Sequence, residues 1–286
     1  MGLLIICLTI NLVLLVVFKL YPRFGVNNLK AIVVNYFICL ATGTIVYKNF
    51  PFTFKVVEEP WFLYGLLLGI FFIIMFNVIA LTLQKVGATI GTIFQRMSLL
   101  FPVFAAFLFF GEQIGPIRWI GILVAILCIV LINLPEKGND GLSRQFTKYW
   151  YLPILTLLGS GLIEGILFFL DESRIVSNGD VRFVSFLFFS AGTTGLLFLI
   201  LKRDIRFNIR DILGGIFLGV PNFFSIYLLL KLLSGGMDAS VVFPFINVGT
   251  ILAGTLIGVF VFNEKLNRIN LAGVILAIVA IFLIIQ

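Results

Sequence analysis

Apolar residues run along this chain in long, nearly uninterrupted blocks, and Gly, Pro, Asn, Asp, Lys and Arg concentrate in the short segments between them. A helix needs about 20 mostly apolar residues to cross roughly 30 Å of hydrocarbon. Ten blocks approach that length: 2–20, 29–47, 61–83, 89–110, 117–134, 150–170, 181–202, 211–233, 238–262 and 268–286. A closed β-barrel, the other way to satisfy a backbone inside lipid, requires short strands that alternate apolar with polar residues, and runs such as Ile122 to Leu131 do not alternate. The pattern predicts an all-α integral membrane protein of ten transmembrane helices. Met1 to Leu20 lacks the charged leading region of a signal peptide and is read as the first span.

The polar punctuation repeats. Phe110-Gly111-Glu112 precedes a span, and so does Phe262-Asn263-Glu264; nine residues after each Glu stands a Gly, Gly121 and Gly273. Further back, the run from Gly69 through Asn77 to Gln84 aligns with that from Gly219 through Tyr227 to Ser234. Small residues lead into the next span in both halves, at Val86-Gly87-Ala88 and at Gly235 to Ala239. The chain is therefore divided into a first five-helix repeat, 1–134, an inter-repeat loop, 135–149, and a second five-helix repeat, 150–286. Five spans per repeat is an odd number, so the second repeat enters the membrane inverted relative to the first. Inverted repeats of this kind build transport sites near the bilayer midplane.

These motifs resemble the drug/metabolite transporter superfamily, specifically its EamA-like family. The resemblance rests on the five-plus-five layout, Gly87-Ala88 before a span containing Pro102, Gly111-Glu112 with Trp119-Ile120-Gly121, and the second-half set Asp238-Ala239-Ser240, Pro244, Asn263-Glu264 and Gly273. It covers almost the whole chain. Asn263 departs from the usual Gly, and the Trp-Gly pair common in the family's first span is absent. The resemblance implies export of amino acids or similar small amphipathic metabolites, in a plasma membrane, with both termini in the cytoplasm. Most of the 20 Lys and Arg, however, lie in loops that follow odd-numbered spans, and by the positive-inside rule that places the termini on the opposite side.

Composition narrows the classes further. With 61% hydrophobic and 12% charged residues, the chain has too little polar surface for a water-soluble globule. The net charge of +7 is scattered over short loops and forms no basic face for nucleic acid. Histidine is absent, and no nucleotide loop, metalloprotease helix or nucleophile elbow is present. Cys7, Cys39 and Cys128 lie inside spans, where Cys behaves as a small buried hydrophobe. No cofactor, metal or enzyme activity is expected, and the partners are a small-molecule metabolite and the lipid bilayer. Protons as a coupling ion, and monomer against homodimer, stay open.

Charges inside an apolar span cost several kcal/mol and usually face a partner or a wet cavity. Arg96, beside Gln95 in the fourth span, and Glu164, mid-way along the sixth, stand out. Together they suit a zwitterion: Arg96 attracts carboxylate or phosphate, Glu164 attracts an ammonium group or a proton. The alternative is a structural ion pair. Asn11, Asn35, Asn77, Asn222, Ser225, Tyr227 and Asn247 form a softer polar set, equally readable as interhelical hydrogen-bonding groups; of these Asn11, Asn77, Asn222, Tyr227 and Asn247, with Gln95, join Arg96 and Glu164 as substrate-binding candidates. Pro102, Pro221 and Pro244 interrupt helical bonding where a gate would bend. Gly65, Gly69, Gly215 and Gly219 have the four-residue spacing of close helix packing. Glu112 and Glu264 are read as caps for the helices that follow them.

The expectation is a secondary transporter that exports small amphipathic metabolites by alternating access. A nucleotide-sugar or sugar-phosphate exchanger, using Arg96 for phosphate, is the alternative within transport. An intramembrane enzyme or a non-transporting scaffold is the alternative outside it.

Overall fold

The computed structural model describes residues 2–86, 88–133, 148–176, 179–262 and 266–286. Gly87, the inter-repeat loop through residue 147 and the Asn263-Glu264 pair lie outside the described residues. The helices are α1 (Gly2–Phe24), α2 (Asn28–Tyr47), α3 (Phe62–Lys85), α4 (Ala88–Arg96), α5 (Leu100–Phe109), α6 (Pro116–Asn133), α7 (Tyr151–Glu172), α8 (Val181–Leu201), α9 (Ile209–Ser234), α10 (Ala239–Phe262) and α11 (Arg268–Ile285). Among the described residues, nine segments are long and apolar enough to cross a membrane, with α4 and α5 joined as one of them, Ile90–Phe109. The predicted fifth span is a shorter apolar helix, Pro116–Ile132. The protein is thus an all-helical, multi-pass membrane protein.

Side chains in the short loops start the helices. Asn27 accepts the Lys30 N–H at the head of α2, and Asp180 accepts the Arg182 N–H at 2.8 Å at the head of α8. Asn208 with Asp211, and Asn267 with Asn270, form reciprocal capping boxes on α9 and α11. Such caps satisfy N–H groups that the first turn of a helix leaves without partners.

The helices sort into two compact units, Met1–Ile74 with Leu170–Gly236, and Met75–Phe169 with Met237–Gln286. Each unit draws on both halves of the sequence. In the first, α9 packs along α2 and α1, and α2 also packs on α8. A Cβ at Gly215 would stand 2.7 Å from the Ala31 carbonyl oxygen, and one at Gly219 would stand 3.0 Å from that of Asn35. A Cβ at Gly69 of α3 would likewise meet the Leu187 carbonyl oxygen of α8 at 2.6 Å. The four-residue glycine spacing is therefore a packing device that brings backbones together.

In the second unit α6 pairs with α11, α10 packs on α11, α6 and α5, and α4 packs on α6. A Cβ at Gly121 of α6 would meet Ile284 of α11, and one at Gly273 of α11 would meet Ile132 of α6, so these two helices run antiparallel. Asn270 adds a second tie, its Nδ2 donating to the Leu131 and Ile132 carbonyls at the end of α6, at 3.0 and 2.9 Å. Val103, Ile114 and Ile122 form a buried apolar cluster, with Leu100, Trp119 and Ile126 packed against it.

The fourth span is not one regular helix. Between α4 and α5, Met97–Leu99 tightens into a 3-10 turn. Pro102 explains the position: it has no N–H to give the Ser98 carbonyl, and its ring crowds that carbonyl. By contrast α9 and α10 continue through Pro221 and Pro244.

Candidate functional site

The break after α4 turns Arg96 and Ser98 toward α7 and α10 within the second unit. Arg96 Nη1 donates to Asn247 Oδ1 at 3.1 Å. Asn247 is buried on α10 and its Nδ2 donates to the Phe243 carbonyl of the same helix at 3.1 Å, which turns its oxygen toward Arg96. Glu164 of α7 completes the group, its carboxylate facing the charge of Arg96, the hydroxyl of Ser98 and the amide of Asn247.

The cluster is not a closed ion pair. Among the described residues the ion pairs are Lys30 with Asp204, Arg118 with Asp238 and Glu112, and Arg182 with Glu59 and Asp180; Arg96 and Glu164 are not joined in this way. Glu164 Oε2 and Ser98 Oγ are both buried without a hydrogen-bond partner. Buried polar atoms of this kind are normally hydrogen-bonded, so each is open to a further partner. The guanidinium, which carries five N–H donors, retains donors beyond the one given to Asn247.

Interactions at the head of α10 hold Asn247 in place. Glu112 Oε2 accepts the Ala239 N–H at 3.1 Å, and its Oε1 accepts the Ser240 N–H at 3.2 Å and the Ser240 hydroxyl. Arg118 Nη1 donates to Asp238 Oδ2 at 2.7 Å and to Ser240 Oγ at 3.2 Å. Glu112 therefore caps α10, from the other half of the sequence, and not α6, the helix that follows it. The correction has a simple cause: the first-turn N–H groups of α10 are brought against this turn by the packing of α10 on α5 and α6. Burial pushes the Glu112 carboxyl above its ordinary value, and the bonds from Ser240 and Ala239 pull it part of the way back.

The remaining candidates divide between the units. Gln95 and Asn77 are half-buried in the second unit, on α4 and α3. Asn11, Asn222, Tyr227 and Pro221 belong to the first. There Asn11 Nδ2 donates to the Cys7 carbonyl of its own helix at 2.9 Å, and Asn222 Nδ2 donates to Asn35 Oδ1 across the α9–α2 contact at 3.2 Å. Tyr227 stacks on Phe223 at 5.9 Å between ring centres, with Lys231 Nζ 5.7 Å above its ring.

Residues 151–286 match the EamA-like transporter family. An uncharacterized protein of Haemophilus influenzae is 31% identical over 263 residues, which are 90% of this chain and 85% of that protein. The chain belongs to the EamA-like transporter family. Members of this family are transporters rather than enzymes, and this EamA-like protein is a membrane transporter of small molecules. A crystal structure superposes on it with a TM-score of 0.74 at 16% identity, over 100% of this chain and 98% of its own, which shows a shared fold.

In this EamA-like transporter the structure thus brings together Arg96, Glu164 and Asn247. Ser98 is the member of the group that sequence reasoning passed over. Its only signal was its place four residues before Pro102, where a helix loses a hydrogen bond.

Proposed function

We propose that this EamA-like transporter is a secondary carrier that exports amino acids or similar zwitterionic, amphipathic metabolites across the plasma membrane by alternating access. One observation carries the reading: a cation, Arg96, and an anion, Glu164, share one buried cluster without closing on each other, and the cluster retains unsatisfied polar atoms. A ligand carboxylate takes the spare guanidinium donors. A ligand ammonium takes Glu164 Oε2 and the Ser98 hydroxyl. Both buried polar atoms then acquire a partner from the ligand.

The same geometry disfavours a phosphate ligand, because a group carrying up to two negative charges would sit beside the Glu164 carboxylate. Proton coupling, where present, runs through Glu164, whose carboxylate is the acidic group of the cluster. Two inverted repeats, 1–134 and 150–286, are supported by the contacts of Gly121 with Ile284 and of Gly273 with Ile132, which relate equivalent residues of the two halves.

Thermal unfolding of the purified protein in detergent, measured against amino acids, sugar phosphates, nucleosides and lipophilic cations, tests the reading. A ligand that binds only the folded state raises stability by mass action. Stabilisation by amino acids that disappears in Arg96→Ala is the expected result; stabilisation by sugar phosphates alone contradicts it.

A further inference from the structure

We propose that the groove between α5 and α7 is a lipid site that holds one acyl chain of a membrane phospholipid along the flank of the transport cluster. A cavity of about 850 Å³ lies between these helices within the second unit. Its walls include Phe101, Phe104 and Leu108 of α5 and Gly161, Gly165 and Phe169 of α7, and Leu, Ile, Ala, Phe and Gly make up the whole lining. A ligand with polar groups would leave them unsatisfied there, so the chemistry admits hydrocarbon.

Glycine shapes the groove. A Cβ at Gly161 would stand 2.3 Å from the Phe101 ring, so its absence lets that ring lie against α7. One turn on, Gly165 has open space beside it, the nearest atom to a Cβ being Phe101 Cβ at 4.0 Å.

Length and depth identify the occupant. Leu100 lies mid-way along the span Ile90–Phe109, Gly161 lies mid-way along Tyr151–Glu172, and the groove runs from there to Phe109, Phe110 and Phe169 near the span ends. Ten residues of α5 at 1.5 Å each give about 15 Å, which is half of the roughly 30 Å hydrocarbon thickness. The groove is therefore one leaflet deep. It opens through exposed apolar side chains, Leu108 at 64% and Phe104 at 44%. Glu164 and Ser98 are not among its lining residues. In helical order Gly161, Leu162, Gly165, Ile166 and Phe169 share one face of α7 and Glu164 lies on another, so the lipid flanks the polar cluster without entering it.

The test uses the intact wild-type protein in phosphatidylethanolamine/phosphatidylglycerol vesicles doped with a phosphatidylethanolamine that carries a diazirine on its acyl chain. After illumination, the labelled peptides are mapped by mass spectrometry. Labelling of the 100–110 and 161–169 segments severalfold above the exposed faces of α1 and α11, unchanged by added amino acids, is the expected result. Gly165→Phe, with its fold checked by size exclusion, should remove the excess, whereas Ile278→Phe on the exposed face of α11 should not. Even labelling of all exposed faces overturns the proposal. So does loss of groove labelling on adding an amino acid, which would assign the groove to the transported molecule. Groove segments protected from lipid in a protein that runs as a dimer would assign it to a second copy.

Discussion

Gly121 and Gly273 occupy the same place in a reciprocal contact: Gly121 lies against Ile284 of α11 as Gly273 lies against Ile132 of α6. The pair relates two helices that come from different halves of the chain, and it sets how closely their backbones approach. Added side chains should be felt unequally. At Gly273 a Cβ would stand 2.7 Å from the Ile132 backbone nitrogen, whereas at Gly121 the nearest atoms are side-chain carbons at 3.0 Å. Overpacking of a tight contact costs about 1–3 kcal/mol, so Gly273→Ala should lower the unfolding temperature in detergent by more than Gly121→Ala. The opposite order would contradict this account of the α6–α11 pairing.

The Glu112 cap carries a pH signature. Burial holds its carboxyl above the ordinary value, so the folded protein keeps a proton that the unfolded chain has released over the window between the two values. Stability linked to that proton is fully present below the ordinary carboxylate value and is lost as pH rises through the folded-state value. The unfolding temperature of wild type relative to Glu112→Gln should therefore fall with rising pH across that window. A pH-independent difference would show that burial does not govern this carboxylate.

Ser98 separates ligand binding from fold maintenance. Its hydroxyl is buried and faces the Glu164 carboxylate without a well-formed hydrogen bond, so Ser98→Ala should leave the unfolding temperature near that of wild type. A hydrogen bond to a charged ligand group contributes about 1.5–3 kcal/mol, which at about 1.4 kcal/mol per factor of ten predicts at least a roughly tenfold weaker affinity for a primary ammonium ligand. The affinity for the same molecule with a trimethylated nitrogen, which offers no N–H, should not change. An equal loss for both would assign Ser98 a packing role.

The sequence makes the spans legible because hydrocarbon thickness imposes a length on every helix, and the observed ends lie within a few residues of those expected. Arg96 and Glu164 are legible for a related reason, since a charge in an apolar run is costly enough to need a purpose. The spacing of Gly215 and Gly219 points to close packing, although it does not say which helix they meet. What sequence does not carry is long-range pairing. Glu112 caps a helix 127 positions away, and the local pattern suggests only a cap on its neighbour. Ser98 is hidden because a small hydroxyl in an apolar helix is unremarkable until the helix breaks beside it. Amides such as Asn11 and Asn222 look alike in sequence whether they bond a neighbouring helix, their own backbone or a ligand.

Direct flux measurement tests the central claim. Protein reconstituted in liposomes loaded with unlabelled amino acid should accumulate labelled amino acid by exchange. Arg96→Ala should reduce that exchange at least about tenfold, because a hydrogen bond to a charged group contributes about 1.5–3 kcal/mol and 1.4 kcal/mol is a factor of ten. Glu164→Gln should impair it as well, with both variants still folded in detergent. Exchange by both variants at the wild-type rate would contradict the assignment of this cluster as the transport site.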